Sequence, residues 1–155
     1  LLQFNVSYGI VSMFRRIYIV NDSIKTILIL DDEISIRHSF SDFFDDLEWK
    51  TIQANSGEMA LSILKTNPPD AAIVDIRLGG MDGDAFIRKA LRQNLDTAFA
   101  ICTGSPEYQL PDDFRNDRHV SNRIFRKPVT DMMALEEDLD HIIQLISKSK
   151  NVVDK

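Results

Sequence analysis

The stretch Ile27-Leu28-Ile29-Leu30-Asp31-Asp32 decides the fold, because a run of apolar residues ends abruptly in two carboxylates. A short, continuous apolar run is typical of a strand that is buried on both faces of a parallel sheet. Three later runs of the same kind end at Asp75, at Thr103 and at Lys127. In an open parallel sheet, ligands bind outside the carboxyl ends of the strands. We therefore expect these polar side chains to converge at one edge of a sheet.

Helix-like stretches separate the apolar runs. The first of them carries apolar residues three and four positions apart, which predicts one buried stripe: Ile36, Phe40, Phe43, Phe44 and Leu47. Five predicted strands alternate with helices and lie near residues 27–30, 51–54, 71–75, 97–102 and 122–126. This alternation predicts right-handed βαβ crossovers and an α/β fold, a three-layer sandwich with a parallel sheet between two layers of helices.

Capping chemistry predicts two further helix boundaries. Ser56 can accept a hydrogen bond at the start of the helix that follows the second strand. Ser105 and Pro106 suit the start of a helix after the fourth strand, and Pro111 should stop that helix within about two turns.

The composition fits a single domain with a substantial core, since the chain has 155 residues and 44% apolar content. The formal net charge of −6 and the pI near 5.0 disfavour direct nucleic-acid binding, which depends on Lys and Arg displacing counterions. Cys102 is the only cysteine, so no internal disulfide can form, and we expect it to act as a small core residue. These features favour a cytoplasmic location.

Three regions are distinguished along the chain: an N-terminal extension at 1–24, a domain at 25–148 and a short polar tail at 149–155. The extension is apolar and aromatic, with large residues at helical spacing. It is interpreted either as a docking or dimerising helix, which leaves a homodimer open, or as a non-native segment with Met13 as the natural start. Arg15-Arg16 comes too late for a secretory signal and interrupts any spanning run, so no membrane partner is expected. The tail is most simply a frayed terminus.

Asp31, Asp32 and Asp75 carry the hard oxygen ligands that Mg2+ takes in proteins, usually one or two carboxylates together with water and substrate phosphate. We expect Asp32 and Asp75 to bind directly, and Asp31 to bind directly or through a water molecule. Two carboxylates about 4 Å apart repel by roughly 4 kcal/mol at an effective dielectric constant of about 20. An empty cluster should therefore raise one of their pKa values or recruit a cation.

Asp75 is also the candidate nucleophile, because a carboxylate can attack phosphorus and form a mixed anhydride. It ends the predicted central strand and leads into a glycine-rich turn that leaves space around it. Lys127 offers a compact positive charge for a phosphoryl oxygen, and Thr103 offers a hydroxyl donor. Positioning and charge neutralisation carry most of the catalysis of phosphoryl transfer, so these residue types suit that reaction.

The motifs resemble the receiver domain of two-component response regulators, and the resemblance covers about residues 25–148. They occur in the family's order at the predicted strand ends: Asp31-Asp32-Glu33, residues 75–83, Thr103-Gly104-Ser105 and Lys127-Pro128. The resemblance implies a five-stranded parallel sheet of order 2-1-3-4-5. It also implies a cis peptide bond between Lys127 and Pro128.

By resemblance, Asp75 accepts a phosphoryl group from a phosphohistidine on a sensor histidine kinase or a histidine phosphotransfer protein, and water later removes it. Mg2+ is the implied cofactor, with the backbone carbonyl of Arg77 completing its ligand set. The side chain of Arg77 is implied to lie at the mouth of the site and Ser105 near it, where receivers tune the lifetime of the phosphoryl group. Simple solvation of both side chains is the alternative.

Two positions depart from the family's pattern. Ile124 stands where receivers usually carry Tyr or Phe, a ring that moves inward when the threonine shifts toward the phosphoryl group. Phe125 is one position away, and a one-residue step reverses side-chain direction on a strand, so we expect Phe125 in the core. Gly79 replaces a frequent proline and should loosen the turn after Asp75. The aromatic half of the usual switch is thus in question.

Three functions remain open. The leading one is a signalling domain that accepts a phosphoryl group on Asp75, changes its affinity for a partner and acts on no other substrate. The second is an interaction or dimerisation module of the same fold that works without phosphorylation. The third is a phosphatase with an aspartyl nucleophile, which generally needs an acid two positions later, where this chain has Arg77. His38, His119 and His141 show no metal-binding spacing and are interpreted as surface or hydrogen-bonded residues.

Overall fold

The computed structural model describes residues 23–153. Strands and helices alternate through this part of the chain, as the sequence predicts. The strands are β1 (Thr26–Leu30), β2 (Lys50–Ala54), β3 (Ala71–Val74), β4 (Ala98–Thr103) and β5 (Val120–Arg126). The helices are α1 (Ile34–Asp46), α2 (Gly57–Thr66), α3 (Gly83–Leu91), α4 (Asp112–Arg115) and α5 (Met132–Val153). The N-terminal extension lies outside the described residues up to position 22, so its docking or dimerising role stays a prediction.

All neighbouring strands pair in parallel, and the five-stranded sheet has the order β2-β1-β3-β4-β5. The predicted fold class and strand order are confirmed. The register places Leu30 beside Val74, and Val74 beside Ile101. Asp31 and Asp75 each follow such a strand end directly, so the register brings both to the same edge of the sheet.

Helices cover both faces of the sheet, and side chains alternate between the two faces along each strand. In β1, Ile27 and Ile29 pack into a cluster on the side of α1 and α5. Leu28 and Leu30 pack into the opposite cluster, on the side of α2, α3 and α4. This two-sided burial accounts for the continuous apolar runs in the sequence. Cys102 is buried in the first cluster, as predicted, and burial raises the pKa of its thiol.

Side-chain caps fix the starts of α2 and α3. Ser56 caps α2 as predicted, because its side chain accepts a hydrogen bond from the backbone N–H of Met59 at 3.2 Å. Asp82 caps α3 in the same way and accepts from the backbone N–H of Ala85 at 2.7 Å. Each cap satisfies an N–H group that has no partner within its helix. Each helix is the next element after a strand, so both caps lie toward the carboxyl edge of the sheet.

The segment after β4 differs from the prediction. The helix expected between Pro106 and Pro111 is wrong: residues 104–111 contain no helix, and Pro111 caps the four-residue helix α4. Proline suits a helix start because the N–H that it lacks would have no helical partner there. The loop before α4 is held by Arg126, which donates hydrogen bonds to two of its carbonyl groups.

The polar tail predicted for residues 149–155 is helical through its described part, because α5 runs for 22 residues. The prediction of a frayed terminus is thus wrong for residues up to position 153. Two contacts join these last turns to the loops before β4 and β5: Arg118 donates to Ser149 Oγ at 2.9 Å, and Lys150 pairs with Asp96. Neither α5 nor any other described helix combines the length and the hydropathy needed to cross a bilayer.

Candidate functional site

Three carboxylates converge at the carboxyl edge of the sheet, as the sequence predicts. One ligand oxygen from each of Asp31, Asp32 and Asp75 lies within 4.8 Å of the others. Asp31 and Asp75 are 2% and 4% exposed because they follow the buried strands β1 and β3, whereas Asp32 is exposed. The carboxylates are close enough to share one cation.

The ammonium group of Lys127 lies between two of these carboxylates. Its Nζ is 2.5 Å from Asp31 Oδ2 and 3.0 Å from Asp75 Oδ2. Lys127 reaches this position because β5 ends beside β4, where the Lys127 N–H donates to the carbonyl oxygen of Thr103 at 3.0 Å. The peptide bond between Lys127 and Pro128 is cis, as the resemblance implies.

Burial and pairing act in opposite directions on the charges of the site. Burial raises the pKa of Asp75 above its ordinary value, and the hydrogen bond from Lys127 opposes that rise. Burial alone would lower the pKa of Lys127, but hydrogen bonds to Asp31 and Asp75 raise it above its ordinary value. Lys127 is therefore charged at neutral pH, and it favours the ionised form of Asp75.

Thr103 is the last residue of β4. Its side chain is fully buried, and its Oγ1 accepts a hydrogen bond from the backbone N–H of Ser105 at 3.1 Å. A hydroxyl group has one proton to donate besides its acceptor positions, and the bond from Ser105 does not use that proton. This proton is therefore available to another acceptor.

An open pocket of about 460 Å³ lies over the cluster. Residues that follow β1, β3, β4 and β5 line it: Asp32, Glu33, Asp75, Arg77, Gly104, Ser105, Pro106, Glu107 and Lys127. Asp31 and Thr103 do not belong to this lining. Of the three clustered carboxylates, Asp75 alone both lines the pocket and contacts Lys127.

Arg77 and Ser105 both line the pocket, the first with an exposed side chain and the second buried. Arg77 Nη2 donates to Ser105 Oγ at 3.0 Å, and Ser105 Oγ donates to Glu107 Oε2 at 3.3 Å. The side chains of Arg77 and Glu107 also form an ion pair at 3.9 Å, although they are 73% and 79% exposed. Sequence reasoning missed Glu107, because no sequence pattern shows that the loop after β4 turns back toward Arg77.

The turn after Asp75 depends on Gly83. A Cβ atom at Gly83 would lie 2.3 Å from the carbonyl oxygen of Asp75 and 2.9 Å from Cα of Ile76. Only glycine allows α3 to start this close to the backbone of the candidate nucleophile. At Gly79 a Cβ atom would meet nothing within 4 Å, so that position does not require glycine.

Sequence reasoning also missed Arg37, which supports the acidic loop from α1. Its Nη1 donates to the carbonyl oxygen of Asp31 at 2.8 Å. One feature of the sequence could have indicated this contact: Arg37 lies one helical turn beyond Glu33, the cap of α1. Long side chains on a helix point back toward its N-terminus, so Arg37 can reach the loop that precedes the helix.

The donor set of the cluster fits Mg2+. Its ligand atoms are carboxylate oxygens from Asp31, Asp32 and Asp75, with no imidazole or thiolate among them. Hard oxygen ligands suit Mg2+, whereas thiolate and imidazole suit softer metals. Lys127 supplies one positive charge against these three carboxylates, so the ionised cluster keeps a net negative charge that a divalent cation can neutralise.

Ile124 and Phe125 face opposite sides of the sheet, as predicted. Phe125 is 7% exposed and belongs to the cluster under α1 and α5. Ile124 is partly buried and packs against the cluster on the other face. No aromatic side chain therefore occupies the strand position from which the family's switch residue acts.

Residues 27–137 match the family model described as the response regulator receiver domain. Sporulation initiation phosphotransferase F of Bacillus subtilis is 35% identical over 65 residues, which is 42% of this chain and 52% of that protein. A heme response regulator of Staphylococcus saprophyticus is 36% identical over 78 residues, 50% of this chain and 34% of that protein. The matched regions thus span about half or less of these relatives' own length.

Solved structures show the same fold at low sequence identity. A response regulator receiver domain protein from Methanospirillum hungatei superposes with a TM-score of 0.69 at 22% identity, covering 82% of this chain and 99% of that one. The receiver domain of a putative LuxO repressor protein from Vibrio parahaemolyticus superposes with a TM-score of 0.70 at 16% identity, covering 86% and 99%.

Proposed function

This chain belongs to the response regulator receiver family, and on that premise we propose that it accepts a phosphoryl group on Asp75, with Mg2+, and thereby changes its affinity for a partner. One observation carries the proposal. Oxygens of Asp31, Asp32 and Asp75 lie within 4.8 Å of one another, and Lys127 bridges two of these carboxylates. The groups that this proposal assigns as metal ligands, nucleophile and phosphate-binding cation therefore lie together at one edge of the sheet.

Asp75 is the nucleophile in this proposal because of where its carboxylate lies. It lines the pocket, so a phosphoryl donor can approach it, and it contacts Lys127, which favours its ionised form. Asp31 does not line the pocket, and Asp32 forms no ion pair with Lys127. A carboxylate oxygen of Asp75 attacks phosphorus, and the bond between phosphorus and the donor's nitrogen breaks.

The other residues act on the charge of the phosphoryl group. Lys127 donates to a phosphoryl oxygen once the negative charge of Asp75 is replaced by that of the acyl phosphate. Thr103 is buried outside the pocket lining, so it must shift toward the pocket to donate its hydroxyl proton to another phosphoryl oxygen. Lys127 is already held beside Asp75 by the end of β5, so its charge needs little reorganisation during the reaction.

Asp31, Asp32, Asp75 and the backbone carbonyl of Arg77 would hold Mg2+. When bound, Mg2+ supplies positive charge to the oxygens of the transferring group. The Arg77 backbone is already close, since its N–H donates to Asp75 Oδ1 at 3.3 Å. This chain's own contribution is a rigid arrangement of oxygens at the ends of β1 and β3.

The donor in this proposal is a phosphohistidine on a sensor histidine kinase or a histidine phosphotransfer protein. Receiver domains interact with proteins of these classes. Water later hydrolyses the acyl phosphate of Asp75. The chain catalyses only its own phosphorylation and dephosphorylation, because Arg77 occupies the place of the second acid that aspartyl phosphatases generally need.

The test is intact-mass measurement after incubation with Mg2+ and acetyl phosphate. Wild type should gain a single labile phosphoryl group, and Asp75→Asn should gain none. Asp46→Asn is a matched control, since it changes an exposed carboxylate at the far end of α1. An adduct on Asp75→Asn, or no adduct on wild type, would contradict the proposal; the second result would favour an interaction module that works without phosphorylation.

A further inference from the structure

The position of Asp32 depends on its backbone. Asp32 is exposed, and among residues 23–153 its carboxylate makes no hydrogen bond or ion pair. Asp31 and Asp75 are held differently, because both are buried and both contact Lys127. Whatever fixes the Asp31–Asp32 peptide therefore determines the point from which the Asp32 side chain extends.

The peptide between Asp31 and Asp32 is fixed mainly through the carbonyl oxygen of Asp31. This oxygen accepts a hydrogen bond from Arg37 Nη1 at 2.8 Å. The peptide unit is planar, so a fixed carbonyl also fixes the direction in which Asp32 leaves the strand. The peptide groups before and after this one are held as well. The Asp31 N–H donates to the carbonyl oxygen of Ala54 at 3.2 Å, and the Glu33 N–H donates to Asp31 Oδ1 at 2.9 Å.

The guanidinium group of Arg37 is itself held in place. Its Nε donates to Gln53 Oε1 at 3.3 Å, and Gln53 Nε2 donates to Ser41 Oγ at 2.9 Å. Ser41 is 5% exposed and lies on the buried side of α1. A chain of hydrogen bonds therefore runs from the α1–β2 interface to the acidic loop, and the planar fork of arginine makes two of its bonds at once.

We propose that Arg37 is a positioning residue for the metal site: it orients the Asp31–Asp32 peptide so that Asp32 is placed to bind Mg2+. This inference rests on the proposed function of the site. Arg37 does not line the pocket, so it acts through Asp31 and Asp32 rather than on the phosphoryl group. Partners that orient metal ligands typically change metal affinity by about 10- to 100-fold when they are removed.

Charge and positioning predict opposite results at this residue. Arg37 places a positive charge beside an acidic cluster, and a positive charge opposes the binding of a cation. If charge alone mattered, Arg37→Gln would bind Mg2+ more tightly than wild type. If positioning dominates, the same variant binds more weakly. The sign of the change therefore separates the two effects.

The experiment is calorimetric titration of Mg2+ alone into wild type and Arg37→Gln. We expect the dissociation constant of Arg37→Gln to rise about tenfold. Arg37→Lys should recover part of the loss, because its ammonium can donate to Asp31 but cannot also hold Gln53. Arg92→Gln is the matched control, since it removes the charge of an exposed arginine at the end of α3 and should leave affinity unchanged.

A second readout excludes a merely structural role. At increasing Mg2+, Arg37→Gln should need about tenfold more metal for half-maximal phosphorylation by acetyl phosphate and then reach the rate of wild type. Unchanged or tighter Mg2+ binding by Arg37→Gln would overturn the inference. If that variant does not fold, Gln53→Ala decides: weaker Mg2+ binding supports the inference and equal binding overturns it. If wild type binds no Mg2+, the proposed function fails as well.

Discussion

Lys127 Nζ lies 3.0 Å from Asp75 Oδ2, although the two residues are 52 positions apart in the chain. Their strands are not neighbours, because β4 lies between β3 and β5 in the sheet. The contact therefore depends on the strand order and on a lysine side chain that extends across the end of β4. The same ammonium contacts Asp31, so it relieves part of the repulsion within the cluster.

Lys127→Met should lower the free energy of unfolding by about 3 kcal/mol in the presence of a chelator, because two nearly buried carboxylates lose their cation. Added Mg2+ should restore part of this loss. Urea denaturation with EDTA and then with Mg2+ measures both effects. Lys150→Met is the control, since its ion pair with Asp96 is exposed and should contribute about 0 to 1 kcal/mol. Equal losses in the two variants would contradict this account of the site.

Gly83→Ala should destabilise the domain by about 3 kcal/mol, because the new methyl group would overlap the backbone of Asp75 and Ile76. The backbone must move to relieve the overlap, so phosphorylation of Asp75 should slow as well. Gly79→Ala is the matched control in the same turn. Its methyl group meets nothing, so it should leave stability unchanged or raise it by about 0.5 kcal/mol. Urea denaturation measures the stability of both variants. Equal stability of Gly83→Ala and Gly79→Ala would contradict the close packing described at Gly83.

Arg126→Gln should increase hydrogen exchange in the loop at residues 104–111. Arg126 donates to the carbonyl of Ser105 and, at 2.7 Å, to the carbonyl of Tyr108, so it fixes the loop at two points. Local opening is easier where few contacts hold the backbone. Arg123→Gln is the control, because Arg123 lies over the ring of Phe125 on the same strand and does not contact the loop. Equal exchange in both variants would show that the loop is held by other contacts.

Asp84→Asn should change how stability depends on pH. Burial raises the pKa of Asp84 above its ordinary 3.8, and the charges of Asp82 and Asp113 also raise it. The hydrogen bond from Tyr108 and the charge of Arg88 act in the opposite direction and lower it. The folded state thus favours the protonated acid. The stability that this preference contributes is fully present below pH 3.8 and is lost as pH rises through the folded-state pKa.

The asparagine variant has no such loss. Its stability relative to wild type should rise as pH increases from about 4 through the folded-state pKa, and should then stay level. Urea midpoints of both proteins, measured across this range, show how their difference in stability varies with pH. The variant also changes the hydrogen bond with Tyr108, but that change shifts the difference by a constant amount and does not alter its slope. A difference between the two proteins that does not vary with pH would contradict the raised pKa.

The parts of the structure that follow from local pattern could be predicted from the sequence. The run at residues 27–30 identifies a strand because each side chain faces a helical layer, and parallel register then brings Asp31 and Asp75 to one edge. The loop at residues 104–111 could not be predicted in this way. It depends on contacts between distant residues, such as the Tyr108 hydroxyl that donates to Asp84 at 2.7 Å across 24 positions.

The contacts of Arg37 and Glu107 were missed for a related reason. Each uses a polar side chain whose partner is fixed only after the loops have folded, and hydrophobic periodicity carries no information about such partners. Pro111 shows the limit of a single-residue rule. Proline is incompatible with a helix interior and compatible with a helix start, and the prediction used only the first property, so it missed the helix that begins after Pro111.

Phe125→Ala should lower the free energy of unfolding by about 3 to 4 kcal/mol, because the ring is 7% exposed within the cluster under α1 and α5. Ile124→Ala should lose less, about 1 to 2 kcal/mol, since Ile124 is only partly buried on the other face. Urea denaturation of both variants measures the difference. Because Phe125 is fixed in the core, it cannot replace the mobile aromatic residue that receivers usually carry at position 124. A loss for Ile124→Ala as large as that for Phe125→Ala would contradict this assignment of the two faces.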